Sequence, residues 1–460
     1  MGRHGGRLAT RVGFVLAAIA LLRLSLVAGV GLGDDEAYYW TWSRQLDWSY
    51  FDHPGGIAWL IALSTHLFGD TPLGVRLPVV MSSALLSALL GWMCRSGGLR
   101  GVWLGALLGA FVPALGLMAV FSSPDLPMLV AWLAAVALAE GLGPRTTGRW
   151  TLAGAAVGAT LLFKLTGVLL AVGLVGWTLA CPTRRRWWTH RGPWLAVTAA
   201  GLVSAPTWAW NLVHDFPTLR FHAIGRHTHA PGLLQGAGLW LLAHLVLLLP
   251  TVAWAVTRSA PSARRSLLVW AATPTWLVFT VATLFTSAKP HWWTPAWLTV
   301  LPLAVEWLAP RRSHALRVVT VAGLLHLGVV VFARFTPGPL LPATAELRGW
   351  DALASELSEG PPSTWLTPRY QASAQLQWAT RNSVPQTILR VSGRADQFTL
   401  WQRDRVPTSG SVLLICPSHL PCQPADIDGL SCPQEPQRPA THDGGQVVRT
   451  FDVWTCQPSR

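Results

Sequence analysis

The densest group of acidic side chains is a triplet, Asp34-Asp35-Glu36, which stands directly behind the first apolar run. A second polar motif, Tyr50-Phe51-Asp52-His53-Pro54-Gly55-Gly56, follows in the same predicted loop, residues 31–72. A carboxylate at the end of an apolar helix is costly to remove from water, so it usually faces solvent, a cavity or a polar substrate. Within hydrogen-bond reach of a hydroxyl, such a carboxylate is a general base. The two motifs therefore predict a site; the alternative is that the triplet is only a solvated helix cap.

Further charged residues interrupt the apolar sequence. Asp125 occupies a short connection, where it is predicted either to take part in catalysis or to cap the helix that begins near Met128. Lys164 breaks an apolar stretch, and Lys289 lies beside His291 in a later connection. Cations of this kind neutralise phosphate groups, although lysines near helix ends also extend to lipid headgroups. The three basic residues are predicted to bind substrate.

Other candidates for substrate binding are less specific. Arg226 lies in the connection 211–232 and is predicted to bind either a substrate phosphate or anionic lipid headgroups. His53 could ligate a metal with Asp52, hydrogen-bond a sugar or only shape its loop, and Tyr39 follows the acidic triplet. No metal site is predicted, and a divalent metal stays open as a cofactor.

Composition places these residues in a membrane protein. Hydrophobic residues make up 51% of the chain and charged residues 12%, against about 25% charged in a typical soluble domain. The net charge of +14 comes from short basic blocks between apolar runs, so nucleic-acid binding is not predicted. About eleven apolar segments alternate with these blocks, and several are shorter than the roughly 20 residues of a straight crossing. The segments lie near 13–30, 73–93, 101–120, 128–142, 151–163, 166–180, 193–210, 233–256, 267–286, 294–309 and 318–335.

The distribution of arginine predicts how the chain is oriented. Arginines concentrate in alternate connections, and the positive-inside rule places these connections and the N-terminus in the cytoplasm. Four connections, 31–72, 121–127, 211–232 and 287–293, then lie on the opposite side, together with the tail, 336–460. The prediction is a multi-pass protein of the inner (plasma) membrane, with residues 1–335 in its transmembrane domain.

The tail, 336–460, is polar and rich in proline, and it is predicted to form a small extracytoplasmic α/β domain. Residues 370–378 have a helical pattern and residues 411–415 that of a buried strand. Its four cysteines are predicted to form two disulfides, because exported domains are oxidised, and the spacing does not favour the alternative of a zinc site. Three pairings are open for these residues, which are Cys416, Cys422, Cys432 and Cys456.

The polar motifs, in this order, resemble the bacterial branch of the dolichyl-phosphate-mannose protein mannosyltransferase superfamily. That branch includes the lipid A aminoarabinose transferases and related GT-C glycosyltransferases. One departure is Pro54-Gly55-Gly56, where many relatives have a Pro-Pro pair. The motifs that carry the resemblance are Asp35-Glu36-Ala37-Tyr38-Tyr39-Trp40, Tyr50-Phe51-Asp52-His53-Pro54, Gly74-Val75-Arg76-Leu77, Ser123-Pro124-Asp125-Leu126-Pro127, Lys164-Leu165-Thr166-Gly167, Trp210-Asn211, Pro290-His291-Trp292-Trp293 and Gly393-Arg394-Ala395-Asp396-Gln397-Phe398.

The resemblance implies an α-helical polytopic GT-C fold and a hexosyl- or pentosyltransferase. Such an enzyme takes a sugar from a polyprenyl-phosphate donor and passes it to a glycolipid, polysaccharide or protein on the outer face of the membrane. By its place in the motif, Asp35 is expected to be the base, with Glu36 in support and Asp125 as a second carboxylate. A lipid or sugar transporter (flippase) and an inactive scaffold stay open, although the chain lacks the convincing internal repeat that transporters often show.

Overall fold

The computed structural model describes residues 3–27, 29–112, 115, 118–222, 233–247, 250–283, 289–335, 347–360, 363–367, 369–381, 388–390, 395–401, 407–418, 422–427, 429–443 and 446–459. The chain forms two compact units. The first consists of Met1–Ser25, His53–Ile57 and Leu77–Val330, and the second of Leu26–Asp52, Ala58–Arg76 and Val331–Arg460. The predicted domain boundary at residues 335 and 336 stays a prediction.

The described chain before residue 336 is helical. Every predicted apolar segment overlaps one or two of its helices, and the predicted loop 31–72 contains two further helices. Short 3-10 helices lie at Arg95–Gly97, Arg186–Thr189 and Pro290–Trp293. The α-helices are α1 (Arg3–Val27), α2 (Asp34–Arg44), α3 (Gly56–Phe68), α4 (Pro72–Met93), α5 (Gly98–Phe111), α6 (Asp125–Ala139), α7 (Thr147–Leu161), α8 (Gly167–Leu179), α9 (Pro182–Arg185), α10 (Arg191–Val213), α11 (Pro217–Arg220), α12 (Leu233–Leu247), α13 (Pro250–Thr257), α14 (Ala263–Ala282), α15 (Thr294–Leu308) and α16 (Arg312–Phe335).

Length and composition identify membrane-crossing candidates among these helices. Within the described ranges, α4 alone is long and apolar enough to cross a bilayer by itself. Helix α8 and the segment Pro182–Thr189 meet the criterion together, across a bend of 107°. Other apolar helices, such as α3 and α6, are shorter than a straight crossing requires. The number of about eleven crossings therefore stays a prediction.

Small residues bring the helices of the first unit close together. Gly154 and Gly158 on α7 face Ala196 and Ala200 on α10, and a Cβ added to Gly158 would lie 2.6 Å from the carbonyl oxygen of Ala200. Helices in a bilayer gain little from hydrophobic contact with each other, so they associate through close packing of small residues. This packing holds the end of α7, where the chain turns toward Lys164.

Arg264 joins several helix ends within the first unit. Its Nε donates to Glu140 Oε1 at 2.8 Å and its Nη1 to Ser96 Oγ at 3.2 Å, and it also forms an ion pair with Glu306. These residues lie in or beside connections that the arginine pattern predicts to be cytoplasmic. Helix ends that the sequence predicts on one side of the membrane thus meet in space.

The described tail combines helices with a six-stranded sheet of order β2-β1-β3-β6-β4, in which β5 also pairs with β6. Strand β1 is parallel to β2 and β3, and β3 is antiparallel to β6. Neighbouring residues such as Trp365 and Leu366 belong to different apolar clusters, so both faces of the sheet are covered. The elements are α17 (Trp350–Ser358), β1 (Thr364–Thr367), α18 (Tyr370–Thr380), β2 (Ile388–Arg390), α19 (Gln397–Leu400), β3 (Val412–Pro417), a 3-10 turn (Pro424–Asp426), β4 (Leu430–Ser431), β5 (Ala440–Asp443) and β6 (Gln446–Pro458).

The sheet register explains how the tail cysteines pair. Strand β4 runs antiparallel to the end of β6, with Leu430 opposite Pro458 and Ser431 opposite Gln457. Continuing this register by one residue puts Cys432 opposite Cys456, and these two form a disulfide. The second disulfide joins Cys416 to Cys422.

Candidate active site

Glu36, the third residue of the acidic triplet, is buried in an ion pair with Arg76. Its Oε2 accepts a hydrogen bond from the backbone N–H of Gly33 at 2.9 Å, which caps α2. Arg76 donates to Glu36 Oε1 and Oε2 at 2.9 and 2.6 Å, and to the carbonyl oxygens of Val30 and Gly31 at 2.9 and 2.6 Å. Because both carboxylate oxygens are engaged within the unit, Glu36 stabilises the start of α2. Its catalytic role stays a prediction.

The other two carboxylates of the triplet contact tail helix α18. The hydroxyl of Tyr370, the first residue of α18, donates to Asp35 Oδ1 at 3.0 Å. Gln375 Nε2 donates to Asp34 Oδ1 and to the carbonyl oxygen of Leu32, both at 2.9 Å. Asp35 is exposed, whereas Asp34 is half-buried and Glu36 is buried. Of the three carboxylates, Asp35 is therefore the most accessible to a substrate.

Asp52 in the second motif is buried against Tyr38. The hydroxyl of Tyr38 donates to Asp52 Oδ2 at 3.0 Å and accepts a hydrogen bond from the backbone N–H of Gln397 at 2.7 Å. Burial, followed by the negative charges of Asp52 and Asp396, raises the pKa of Tyr38 well above its ordinary value of 10.0. Tyr38 thus stays protonated and remains a hydrogen-bond donor at neutral pH. Gln397 belongs to the tail motif singled out in the sequence, of which residues 395–398 are described.

Tyr39 lies in an aromatic cluster of the second unit. Its ring meets Trp42 edge-on at 4.9 Å between centroids, and Trp42 stacks on Tyr50 at 4.5 Å. Tyr39 is 6% exposed. The cluster gives α2 a rigid base, and the predicted contact between Tyr39 and substrate stays a prediction.

Asp125 and Lys164 form an ion pair in the first unit. Lys164 Nζ donates to Asp125 Oδ1 at 2.7 Å, and the side chains are 10% and 12% exposed, respectively. Burial raises the pKa of Asp125, but the positive charges of Lys164 and His291 and hydrogen bonds from Lys164 and Ser123 bring it below its ordinary value of 3.8. The Asp125 carboxylate is therefore ionised at neutral pH. Two predicted site residues that are far apart in the sequence, Asp125 and Lys164, are thus direct partners. A third, His291, lies near enough to lower the pKa of Asp125.

Lysine is rare in this chain, which makes Lys164 more conspicuous. Of 35 lysine and arginine residues, two are lysines, Lys164 and Lys289. An ammonium is a compact point charge with three donors, whereas arginine offers a flat fork. Lys289 is exposed and precedes the 3-10 helix that carries His291. The predicted role of Lys289 stays a prediction, and Arg226 lies outside the described residues.

A cavity of about 420 Å³ adjoins Lys164 within the first unit. Apolar side chains form most of its wall, and Lys164 and His222 are the basic residues among them. A cation beside an apolar groove suits a ligand with an acidic head and a hydrocarbon tail. The apolar lining includes Leu165, Leu169, Leu219, Val278, Phe279 and Trp292.

His53 lies near the same part of the first unit. Its ring centroid is 5.6 Å from that of His222, which lines the cavity. Gly56 donates its backbone N–H to the carbonyl oxygen of Leu162 at 2.9 Å, and an added Cβ would lie 2.6 Å from that oxygen. The Pro54-Gly55-Gly56 motif therefore needs glycine at Gly56, because its backbone packs against the turn that leads to Lys164.

Several contacts around these residues were not predicted from the sequence. Arg76 and Gln397 belong to recognised motifs, but nothing in their spacing indicates that they bind Glu36 and Tyr38. Tyr370 and Gln375 had no signal beyond a helical pattern. Within the described ranges, no group of three or more His, Cys, Asp or Glu side chains converges on a metal position. A divalent cofactor stays untested.

Comparisons of the sequence with known proteins identify a family and two relatives. A family model described as dolichyl-phosphate-mannose-protein mannosyltransferase matches residues 52–210. The lipid A galacturonosyltransferase RgtD of Rhizobium johnstonii is 30% identical over 324 residues, which cover 67% of this chain and 67% of that protein. The undecaprenyl phosphate-alpha-4-amino-4-deoxy-L-arabinose arabinosyl transferase of Erwinia tasmaniensis is 29% identical over 201 residues, 39% of this chain and 33% of that protein.

The fold is also similar to solved structures. Crystal structures of ArnT from Cupriavidus metallidurans in the apo state and bound to undecaprenyl phosphate match with TM-scores of 0.67 and 0.63, at 17% identity. The matches cover 97% and 96% of this chain and 98% and 97% of those chains. The fold is therefore the GT-C fold that the motifs implied. The chain belongs to the dolichyl-phosphate-mannose protein mannosyltransferase superfamily of GT-C glycosyltransferases.

Proposed function

We propose that this glycosyltransferase takes a sugar from a polyprenyl-phosphate donor and attaches it to lipid A on the outer face of the inner membrane. The observation that carries the proposal is the Asp125–Lys164 pair beside a largely apolar cavity. One relative is named for lipid A and another for an undecaprenyl-phosphate sugar. The transferred sugar is a hexuronic acid or an aminopentose, by analogy with these two relatives.

The first unit contains the groups that would bind the donor. Its phosphate needs a cation, and its polyprenyl chain needs an apolar surface. Lys164 supplies the cation, and the leucine, valine and aromatic side chains of the cavity supply the surface. Asp125 orients the Lys164 ammonium by accepting its hydrogen bond at 2.7 Å, and the carboxylate itself is ionised at neutral pH.

Asp35 in the second unit is the proposed general base for the acceptor hydroxyl. In the proposed step this hydroxyl attacks the anomeric carbon, its proton passes to the Asp35 carboxylate, and the bond from that carbon to the phosphate oxygen breaks. The electron pair leaves with the polyprenyl phosphate, whose negative charge a cation stabilises. Glu36 contributes by holding the start of α2 in place through Arg76.

The proposed topology has about eleven membrane crossings, a cytoplasmic N-terminus and an extracytoplasmic α/β tail. Two observations within the first unit support it. Arg264 gathers helix ends from connections predicted to be cytoplasmic. Asp125 and His291, which come from connections predicted on the opposite side, lie close enough for the charge of His291 to lower the pKa of Asp125. Disulfides in the tail fit an oxidising compartment.

The test compares wild type with Asp35→Asn in membranes of a host that lacks the gene. Polyprenyl phosphates carrying galacturonic acid or 4-amino-4-deoxy-L-arabinose are supplied, and mass spectrometry follows both donors and lipid A. Wild type is expected to modify lipid A with one of the two sugars. Asp35→Asn is expected to lose at least about 100-fold in rate, because general bases contribute this much.

The control is Asp351→Asn, which removes a carboxylate paired with Arg381 on the surface of the same unit. This variant is expected to transfer at the wild-type rate. Sugar transfer by Asp35→Asn at the wild-type rate would show that Asp35 is not the general base. Unmodified lipid A in the wild-type membranes, with both donors intact, would contradict the proposed reaction and favour a transporter or a scaffold.

A further inference from the structure

Two tyrosines from distant parts of the sequence pack against each other beside the acidic triplet. Tyr38 on α2 and Tyr370 on α18 have ring centroids 4.4 Å apart. Tyr38 donates its hydroxyl to Asp52, and Tyr370 donates its hydroxyl to Asp35. Each of the two carboxylates thus accepts a hydrogen bond from a different tyrosine, and the rings of the two tyrosines are in contact.

Tyr38 provides a fixed surface for the ring of Tyr370. It is 2% exposed, and its hydroxyl binds both Asp52 and the backbone of Gln397. The ring of Phe398 packs against it at 5.5 Å. A buried ring with a satisfied hydroxyl has few directions in which to move, so the neighbouring ring of Tyr370 is confined as well.

Helix α18 is fixed independently of Tyr370. Gln375 binds Asp34 and the backbone of Leu32, and Trp378 meets Trp40 edge-on at 5.1 Å. The start of α18 is therefore held at a set position beside α2. Asp35, by contrast, is exposed, and an exposed side chain rotates freely unless a neighbour restrains it.

We propose that Tyr370 is a positioning residue for the transfer reaction, which makes the tail part of the catalytic apparatus. This inference rests on the proposed role of Asp35 as general base. The hydroxyl of Tyr370 holds Asp35 Oδ1, which restricts the carboxylate to one orientation and leaves Oδ2 to take the proton of the acceptor hydroxyl. Tyr370 itself does not touch the reacting atoms.

The experiment uses the full-length protein in lipid nanodiscs, with lipid A and the sugar donor that the wild type uses. Tyr370→Phe keeps the ring and removes only the hydroxyl. We expect kcat to fall about tenfold or more, because a displaced catalytic group loses rate steeply with distance. The KM values for donor and acceptor and the temperature of thermal unfolding are expected to stay unchanged.

A matched control removes a hydroxyl from the same helix. Thr380 donates its hydroxyl to the carbonyl oxygen of Leu376 within α18, so Thr380→Val disturbs the helix without touching the acidic triplet. This control is expected to keep the wild-type kcat. A fall in kcat of equal size in Thr380→Val would assign the effect to helix structure and overturn the inference.

A double variant, Tyr370→Phe combined with Asp35→Glu, tests the positioning role of Tyr370 separately from the proposed role of Asp35 as the base. Asp35→Glu moves the carboxylate away from the Tyr370 hydroxyl, so adding Tyr370→Phe to it is expected to change kcat by less than twofold. Wild-type kcat in Tyr370→Phe, with Asp35→Asn inactive, would overturn the positioning role and leave the proposed function standing. A raised KM at constant kcat would overturn it too, because it would make Tyr370 a substrate-binding residue. Absence of transfer by wild type would overturn both.

Discussion

Among the residues that the structure describes, two buried ion pairs use similar charges in different settings. Arg76 is fully buried, and its donors are divided among Glu36 and the carbonyl oxygens of Val30 and Gly31. Lys164 pairs with Asp125 and also lines a cavity of about 420 Å³. A guanidinium with its donors so engaged has little capacity for a ligand, whereas an ammonium at a cavity wall has three donors to share. The Glu36–Arg76 pair is therefore closed, whereas the Asp125–Lys164 pair is open to a cavity, so the two pairs differ in access rather than in charge.

The largest expected effect is a loss of stability when the closed pair, Glu36 with Arg76, is broken. Arg76→Met leaves the Glu36 carboxylate buried without its cation, which typically costs about 3–5 kcal/mol of unfolding free energy. Thermal and chemical unfolding in detergent would measure this loss. Arg44→Gln is the control, since Arg44 pairs with Asp70 in the same unit with about a third of each side chain exposed, and such pairs contribute about 1 kcal/mol or less. Equal losses in the two variants would contradict the account of a closed pair.

A smaller loss of stability is expected when the open pair is broken. In Lys164→Met the Asp125 carboxylate can still be hydrated from the adjoining cavity, so we expect a loss of about 1–3 kcal/mol. The same unfolding measurement applies. The distinction between the two pairs would be wrong if Lys164→Met lost as much stability as Arg76→Met.

The smallest expected effect is on how the stability of the protein depends on pH. The pKa of Asp125 is lowered in the folded protein, so its contribution to stability is present above the unfolded value of about 3.9 and is lost as the pH falls through the folded value. The stability difference between wild type and Asp125→Asn is therefore expected to shrink as the pH is lowered from about 5 to 3. Unfolding curves across this range would measure it. A difference that stays constant or grows on acidification would refute the lowered pKa.

Sequence reasoning was strongest where the physical signal is local. The apolar segments predicted helices correctly, because hydropathy and helical periodicity are properties of neighbouring residues. Asp125 and Lys164 were found as separate candidates, because a charge in apolar sequence is conspicuous. Their direct pairing depends on how α6 and α7 pack, and no local pattern contains that information.

Contacts that depend on tertiary structure were beyond the sequence. Asp35 and Tyr370 are separated by 335 positions, and neither has a spacing that indicates the other. The pairing of Cys432 with Cys456 depends on the register of β4 against β6. The chain contains only two lysines, and this count is a further sequence feature that distinguishes Lys164.

In the proposed reaction, Lys164 binds the donor phosphate and Asp35 takes the proton of the acceptor hydroxyl. The most direct test measures undecaprenyl phosphate binding and sugar transfer on the same preparations of wild type, Lys164→Gln and Asp35→Asn, with Arg44→Gln as the control. Lys164→Gln is expected to weaken the binding of undecaprenyl phosphate by roughly 10- to 100-fold, which corresponds to the loss of one charged hydrogen bond. Asp35→Asn is predicted to bind like wild type but to lose at least about 100-fold in transfer rate. Wild-type affinity in Lys164→Gln, or wild-type transfer in Asp35→Asn, would contradict the claim.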